Sequence, residues 1–158
     1  MTASGARVLI AGAAGGVGRA VALAAASDGA TVLLLGRDRH SLDAVRAEVA
    51  EDRGTAHIAV ADATSAAEVD DAVEALRRDA GGIDVVVNAV GLNLKARRLD
   101  EVDEAGWRSL LDTNLTAAFL LTRAVLPGFR AGGGGLLIHI SSVAALVPDM
   151  SGAAYQAS

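Results

Sequence analysis

Gly12, Gly15, Gly16 and Gly18, in AGAAGGVG over residues 11–18, stand where a main chain would bend sharply and leave its amides accessible. An apolar run (Val8, Leu9, Ile10) leads into them. A small-residue helix of about three turns should follow. A second apolar run, Val32 to Leu35, then stops at Gly36-Arg37. The N–H groups that open a helix have no partner within it and carry the positive end of its dipole, roughly half a charge. The chemistry offered by this spacing is anion binding, and in a strand–helix–strand unit the anion is a dinucleotide's pyrophosphate. The commoner Gly-x-Gly-x-x-Gly is absent. Gly12-x-x-x-Gly16-x-Gly18 and, overlapping it, Gly12-x-x-Gly15-x-x-Gly18 still set one glycine at the turn and another where helix meets strand. With Val17 between them, these residues form the expected pyrophosphate cradle.

The end of the second strand bears on which nucleotide is bound. An acidic residue there would accept from the adenosine ribose 2′-OH and repel a 2′-phosphate. Gly36 leaves space without charge, and Arg37, with Arg39 close behind, can clamp a phosphate. NADP(H) is expected over NAD(H). Asp38 dissents, unless it starts the next helix, which reads as Ser41 N-cap with Leu42, Val45 and Val49 on one face.

Composition limits what these residues can belong to. A chain of 158 residues makes one domain with a real core, and at 52% apolar but 3% aromatic that core must be Ala, Val and Leu. The net charge of −5 and the lack of a basic block argue against nucleic acid. No run has membrane-spanning length, and the first residues lack a signal-peptide pattern. The absence of cysteine removes disulfides, thiol catalysis and cysteine-ligated metal. His40, His57 and His139 are scattered without metal-ligand spacing, so no metal is expected. A soluble cytoplasmic protein is the expectation.

The positioning elements alternate. Ala56 to Ala61 reads as a third strand ending at Asp62, and a helix capped by Thr64 or Ser65 presents Val69, Val73 and Leu76 before Gly81-Gly82. Ile83 to Asn88 is a fourth strand, 92 to 102 a polar loop, and a long helix runs from about Asp103 to Phe129 with Pro127 marking its end. Leu136 to Ile140 is a fifth strand. Trp107 should anchor a helix to the sheet, and His139 should be a packed strand residue. Strands apolar on both faces imply a Rossmann-type parallel α/β sheet of order 3-2-1-4-5, with helices on both sides. Ligands then sit beyond the carboxyl ends of the strands, at Gly12 to Gly18, Arg37, Asp62-Ala63, Asn88-Ala89-Val90-Gly91 and Ser141-Ser142.

AGAAGGVG (11–18), Asp62, NAVG (88–91), Asn114 in LDTNLTAAFLLTRAVLP and ISSVAALVPDMSGAAYQAS (140–158) resemble the short-chain dehydrogenase/reductases, in order and at family spacing along essentially the whole chain. The resemblance implies that Tyr155 is the general acid/base at a carbonyl or alcohol oxygen. It makes Ser142 the residue that orients that oxygen and Asn114 the holder of a water in the proton relay. It further implies that Asp62 meets the adenine edge and that Asn88 braces the sheet while its loop lies against the cofactor. The chemistry stands independently: hydride transfer to a ketone puts negative charge on oxygen, so an O–H donor must be aimed at it. A free phenol has a pKa near 10, so it needs a cation beside it to act near neutral pH. In the family that cation is a lysine four residues after the tyrosine, one helical turn on.

Position 159 would carry that lysine, one beyond Ser158, and Lys95 is the only lysine in the sequence. NNAG appears as NAVG, and Ala11 replaces the usual threonine. The expectation is the amino-terminal portion of an NADP(H)-dependent reductase of ketones or dehydrogenase of secondary alcohols, acting on a small molecule. An intact protein should be a homo-oligomer, whereas a piece lacking half the pairing surface should associate non-natively. Two other readings are an NADP(H)-binding sensor or scaffold without turnover, and a sugar-nucleotide epimerase or dehydratase, whose turn Gly12-x-x-Gly15-x-x-Gly18 also fits.

Overall fold

The computed structural model describes residues 3–147 and 151–158; Pro148, Asp149 and Met150 of the last motif lie outside them. The apolar runs become strands and the amphipathic stretches helices, except that the one long helix expected from about Asp103 to Phe129 is interrupted by a π-helical turn. In order these are β1 (Arg7–Ala11), α1 (Gly16–Ser27), β2 (Thr31–Gly36), α2 (Arg39–Glu51), β3 (Thr55–Val60), α3 (Ala66–Ala80) and β4 (Val85–Asn88). Then come α4 (Glu104–Leu110), a π-helical turn over Leu111–Thr116, α5 (Ala117–Ala131), β5 (Leu136–His139) and a short α6 (Ala153–Gln156). The five strands form one parallel sheet in the order β3-β2-β1-β4-β5. That is the order expected from the alternation.

Strand periodicity divides the core in two. On one face Leu9, Leu33 and Val86 meet Val69, Val73 and Leu76 of α3 and Leu121, Val125 and Phe129 of α5. On the other, Val8, Ile10, Val32, Leu34 and Val87 meet Ala22 and Ala26 of α1 and Leu42, Val45 and Val49 of α2. Alanines let α1 lie close to the sheet, which is how a core so poor in aromatics stays filled. Coverage is complete only at the sheet centre. β5 is an edge strand, and Leu136, Ile138 and Ile140 remain exposed.

Several boundaries differ from expectation for identifiable reasons. Asp38, not Ser41, caps α2: its Oδ1 accepts from Ser41 N at 2.7 Å and from Ser41 Oγ at 2.5 Å. Asp at N-cap takes the N–H three residues on, so Ser41 becomes the donor of the motif rather than its acceptor. Ser65 caps α3 without a side-chain bond, and Gly81 ends it at φ +74°, as a left-handed C-cap requires. Pro127 lies inside α5, which runs on to Ala131. Proline removes a single donor, and the buried Phe129 holds the following turn onto the sheet. Trp107 is only half-buried; Leu110 fills the core position instead.

One polar anchor ties β1 to β4 below the core. The Arg7 guanidinium grips Asp84 with Nε to Oδ2 at 2.7 Å and Nη2 to Oδ1 at 2.5 Å, while Arg7 N donates to Oδ2 at 2.8 Å. The side-chain bond from Arg7 holds the Asp84 carboxyl below the usual carboxylate range, against a smaller opposing effect of burial. A carboxylate with a depressed folded-state pKa stabilises above its unfolded value and loses that contribution as acid protonates the folded state. Melting temperature should therefore fall as pH drops below about 4. Asp84→Asn should flatten that limb while lowering the plateau near neutral pH; calorimetric scans across pH test it. Solvent reaches both side chains, so the difference is small.

Candidate active site

The parallel register aligns the carboxyl ends of the strands. Ala11 lies between Leu35 of β2 and Asn88 of β4, and Asn88 lies opposite His139 of β5. Chemistry carried just past each strand is gathered along one edge of the sheet.

The glycine turn is shaped by close approach. Gly12 has φ +76°, and a Cβ there would sit 2.9 Å from the Ala89 carbonyl oxygen. At Gly18 a Cβ would overlap the Gly12 carbonyl, so α1 can descend onto the turn only with glycine there. Nothing lies within 4 Å of a Cβ built on Gly16, which faces open space. Gly15 caps α1 without a side chain to accept from the helix, and its carbonyl receives Arg19 N at 2.8 Å. The N–H groups of Gly16, Val17 and Gly18 are thus the helix's opening donors, and no acidic residue occupies the first turn. These residues fit a bound pyrophosphate: donors, dipole and room coincide.

Beyond β2, Arg37 is exposed and has no ion pair or side-chain hydrogen bond among the described residues, whereas Arg39 pairs with Asp43 at 2.8 Å. Asp38, the dissenting acid, is engaged as the α2 cap. Beyond β3, Asp62 Oδ1 accepts from Thr64 N at 2.9 Å and Thr64 Oγ1 at 2.8 Å. Those bonds, with a contribution from the nearby Arg37 charge, lower its pKa. Ala63 follows, half-buried.

Asn88, Gly91, Asn114, Ser142 and Tyr155 all line one cavity of about 330 Å³ beyond β4 and β5. Asn88 is the one buried polar residue of the described core, at 4% exposure. Its Oδ1 accepts from Val90 N at 3.1 Å, which folds the Ala89-Val90 turn back on the strand end. Asn114 occupies the π-helical turn, and its amide clamps the Leu92 peptide: Oδ1 accepts from Leu92 N at 2.8 Å, and Nδ2 donates to Leu92 O at 3.0 Å. Its other proton goes to Ser158 Oγ at 2.8 Å. A π turn widens the helix by one residue, and here it accompanies this tie to the loop after β4. Ser142 Oγ accepts from Ala144 N at 3.2 Å, leaving its O–H as the group able to donate elsewhere. Neither lysine nor arginine lines this cavity among the described residues.

Gly152, which no local sequence signal marks, sets the entry to α6. It has φ +93°, and a Cβ there would collide with the Arg97 carbonyl, while Asn93 Nδ2 donates to Ser151 O at 3.3 Å. The loop after β4 and the helix bearing Tyr155 meet through a position only glycine fills. The larger groove, about 860 Å³, lies at the opposite edge around Arg7, Asp84 and Phe129, away from all of these residues. No cluster of metal-ligating side chains occurs among the described residues. No helix among them is long and apolar enough to cross a membrane.

Residues 6–158 match the family described as short chain dehydrogenase. Gluconate 5-dehydrogenase of Gluconobacter oxydans (strain 621H) is 37% identical over 140 residues, which are 89% of this chain and 54% of that protein. A short chain dehydrogenase from Mycobacterium smegmatis superposes with a TM-score of 0.94 at 30% identity, over 99% of this chain and 66% of that one. NAD+-bound xylitol dehydrogenase gives a TM-score of 0.94 at 29% identity, over 98% of this chain and 59% of that one. The chain spans less than two thirds of the length of these relatives. The glycine turn, the strand order and the match over residues 6–158 lead to one conclusion: this chain belongs to the short-chain dehydrogenase/reductase family, oxidoreductases that bind NAD(P)(H).

Proposed function

We propose that this chain binds NADP(H) across the carboxyl ends of its strands and serves an oxidoreductase acting on a ketone or secondary alcohol. The observation that carries this reading is the convergence of Asn114, Ser142 and Tyr155 on one cavity, beside a turn that packs against the nucleotide-type glycine loop. The nicotinamide, when bound, supplies or accepts the hydride. The chain's own work is at the substrate oxygen, where negative charge develops. Ser142 donates its free O–H to that oxygen and orients it, and the Tyr155 hydroxyl delivers or removes the proton. Asn114 spends both amide protons on Leu92 and Ser158, so a relay water would be held by an acceptor of this turn rather than by its N–H groups.

NADP(H) is favoured over NAD(H) by Arg37, which has no ion pair among the described residues, beside uncharged Gly36, and by the diversion of Asp38 into a helix cap. The NAD+-bound xylitol dehydrogenase and the NADH complex of 7α-hydroxysteroid dehydrogenase among its structural relatives make this a direct experimental choice. A small-molecule substrate, cytoplasmic location and homo-oligomeric assembly of the whole protein belong to the same proposal.

The rival reading is an NADP(H)-binding sensor or scaffold without turnover. The test is titration calorimetry with NADPH together with carbonyl reduction followed by NADPH absorbance, on the whole protein and on its Tyr155→Phe variant. The oxidoreductase reading expects NADPH affinity in both and a rate at least about 100-fold lower in the variant. NADPH binding without reduction in either would favour the sensor. Gly152→Ala should displace the phenol, with NADPH binding kept and reduction lost, because alanine is strained at this φ and meets the Arg97 carbonyl.

A further inference from the structure

We infer that His139 is a positioning residue for the nucleotide site, acting through Asn88; this rests on the nucleotide-binding reading above. His139 ends β5 directly opposite Asn88 in the parallel register. Its Nδ1 lies 3.2 Å from Asn88 Nδ2, and its Nε2 lies 3.2 Å from Thr122 Oγ1 of α5.

The roles along this relay follow from its two ends. Asn88 Oδ1 is committed to Val90 N, so the amide turns its NH2 toward the ring, and Nδ1 must accept. The ring proton is then on Nε2 and is donated to Thr122 Oγ1, whose own hydrogen goes to Ala118 O at 2.7 Å. Each hydrogen of the relay has one acceptor, and the chain of bonds has one consistent direction.

What the relay holds is the turn after β4. Asn88 is buried while His139 is exposed, and the ring is the protein acceptor that orients the Asn88 NH2; without it the amide is free to reorient. Reorientation would release Val90 N, and with it the Ala89-Val90 peptide that packs within about 3 Å of a Cβ position at Gly12. The edge strand therefore fixes the backbone against which the glycine turn rests, three strands into the sheet.

His139→Leu removes the acceptor and keeps a good strand-forming apolar residue. His139→Asn keeps an acceptor near the Nδ1 position and is the poorer strand former. A packing role favours Leu, whereas the relay favours Asn. Two readouts are taken on the full chain: NADPH affinity by calorimetry, and hydrogen exchange at the Val90 amide without nucleotide. The expected result is affinity weakened about tenfold and Val90 exchange quickened about tenfold in His139→Leu, with both restored to within about threefold in His139→Asn. Equal behaviour of the two variants, or protection by Leu and not Asn, overturns the inference. If His139→Leu does not fold, Thr122→Val replaces it, with about threefold effects expected and unchanged exchange overturning the assignment. Loss of NADPH binding by the unaltered chain would sink the nucleotide reading alone, and Val90 exchange would still decide the relay.

Discussion

Gly18→Ala should abolish measurable NADPH binding and destabilise the fold by about 3 kcal/mol, a cost at the upper end for overpacking a tight site. The methyl group would overlap the carbonyl of Gly12, main chain that cannot rotate away as a side chain would. Relief requires α1 to lift from the turn, carrying off the three N–H groups that would hold the pyrophosphate and loosening Ala22 and Ala26 from the sheet. Gly16→Ala is the matched control for stability, since a Cβ there meets nothing within 4 Å. It should leave the melting temperature nearly unchanged and impair nucleotide binding only by intruding on the ligand's space. Denaturant unfolding and calorimetric titration of the pair separate the two effects. An alanine at position 18 that melts and binds like the unaltered chain would contradict the packing argument.

Arg37→Glu should turn the proposed preference for NADPH toward NADH. Arg37 is an exposed cation without an ion pair among the described residues, standing beyond β2 next to Gly36. A charge-assisted contact to a 2′-phosphate would be lost and replaced by repulsion, weakening NADPH on the order of 100-fold. NADH, which presents a 2′-OH to the new carboxylate, should bind as well or better. Asp38→Asn supplies the internal comparison: its carboxyl is held below the usual range mainly by the Ser41 hydroxyl, with the Ser41 amide adding to it. Because that carboxylate faces the α2 cap, this change should loosen α2 without altering the NADPH-to-NADH ratio. Equal loss of both nucleotides in Arg37→Glu would mean that Arg37 does not read the 2′ position.

The parts legible in the sequence were those whose cause is local. Continuous apolar runs announced buried parallel strands, small residues announced a helix close to the sheet, and glycines announced the turn. Gly81 at a helix end announced its left-handed cap. Misreadings came where a local rule met a competing partner. Ser41 is a good N-cap by type, but Asp38 lies three residues before it and takes its amide. Pro127 is a helix breaker by type, yet one lost bond is outweighed by the buried Phe129 beyond it. Other features could not be read locally at all. The π-helical turn at Asn114 accompanies a clamp on Leu92, and the need for Gly152 comes from the carbonyl of Arg97. The strand pattern makes His139 a packed residue, but it is exposed, and its ring spans two elements that only the register brings together.

The whole account depends on a pyridine nucleotide lying over the strand tips, and a crystal structure of this chain grown with NADPH tests that most directly. The account predicts pyrophosphate oxygens within hydrogen-bonding distance of the Gly16 and Val17 amides. It also predicts the 2′-phosphate on Arg37 and the nicotinamide ring between the Ala89-Val90 turn and the cavity of Ser142 and Tyr155. Density for the nucleotide elsewhere, or a crevice closed over Gly16 with the Tyr155 hydroxyl packed away from the cavity, would contradict it.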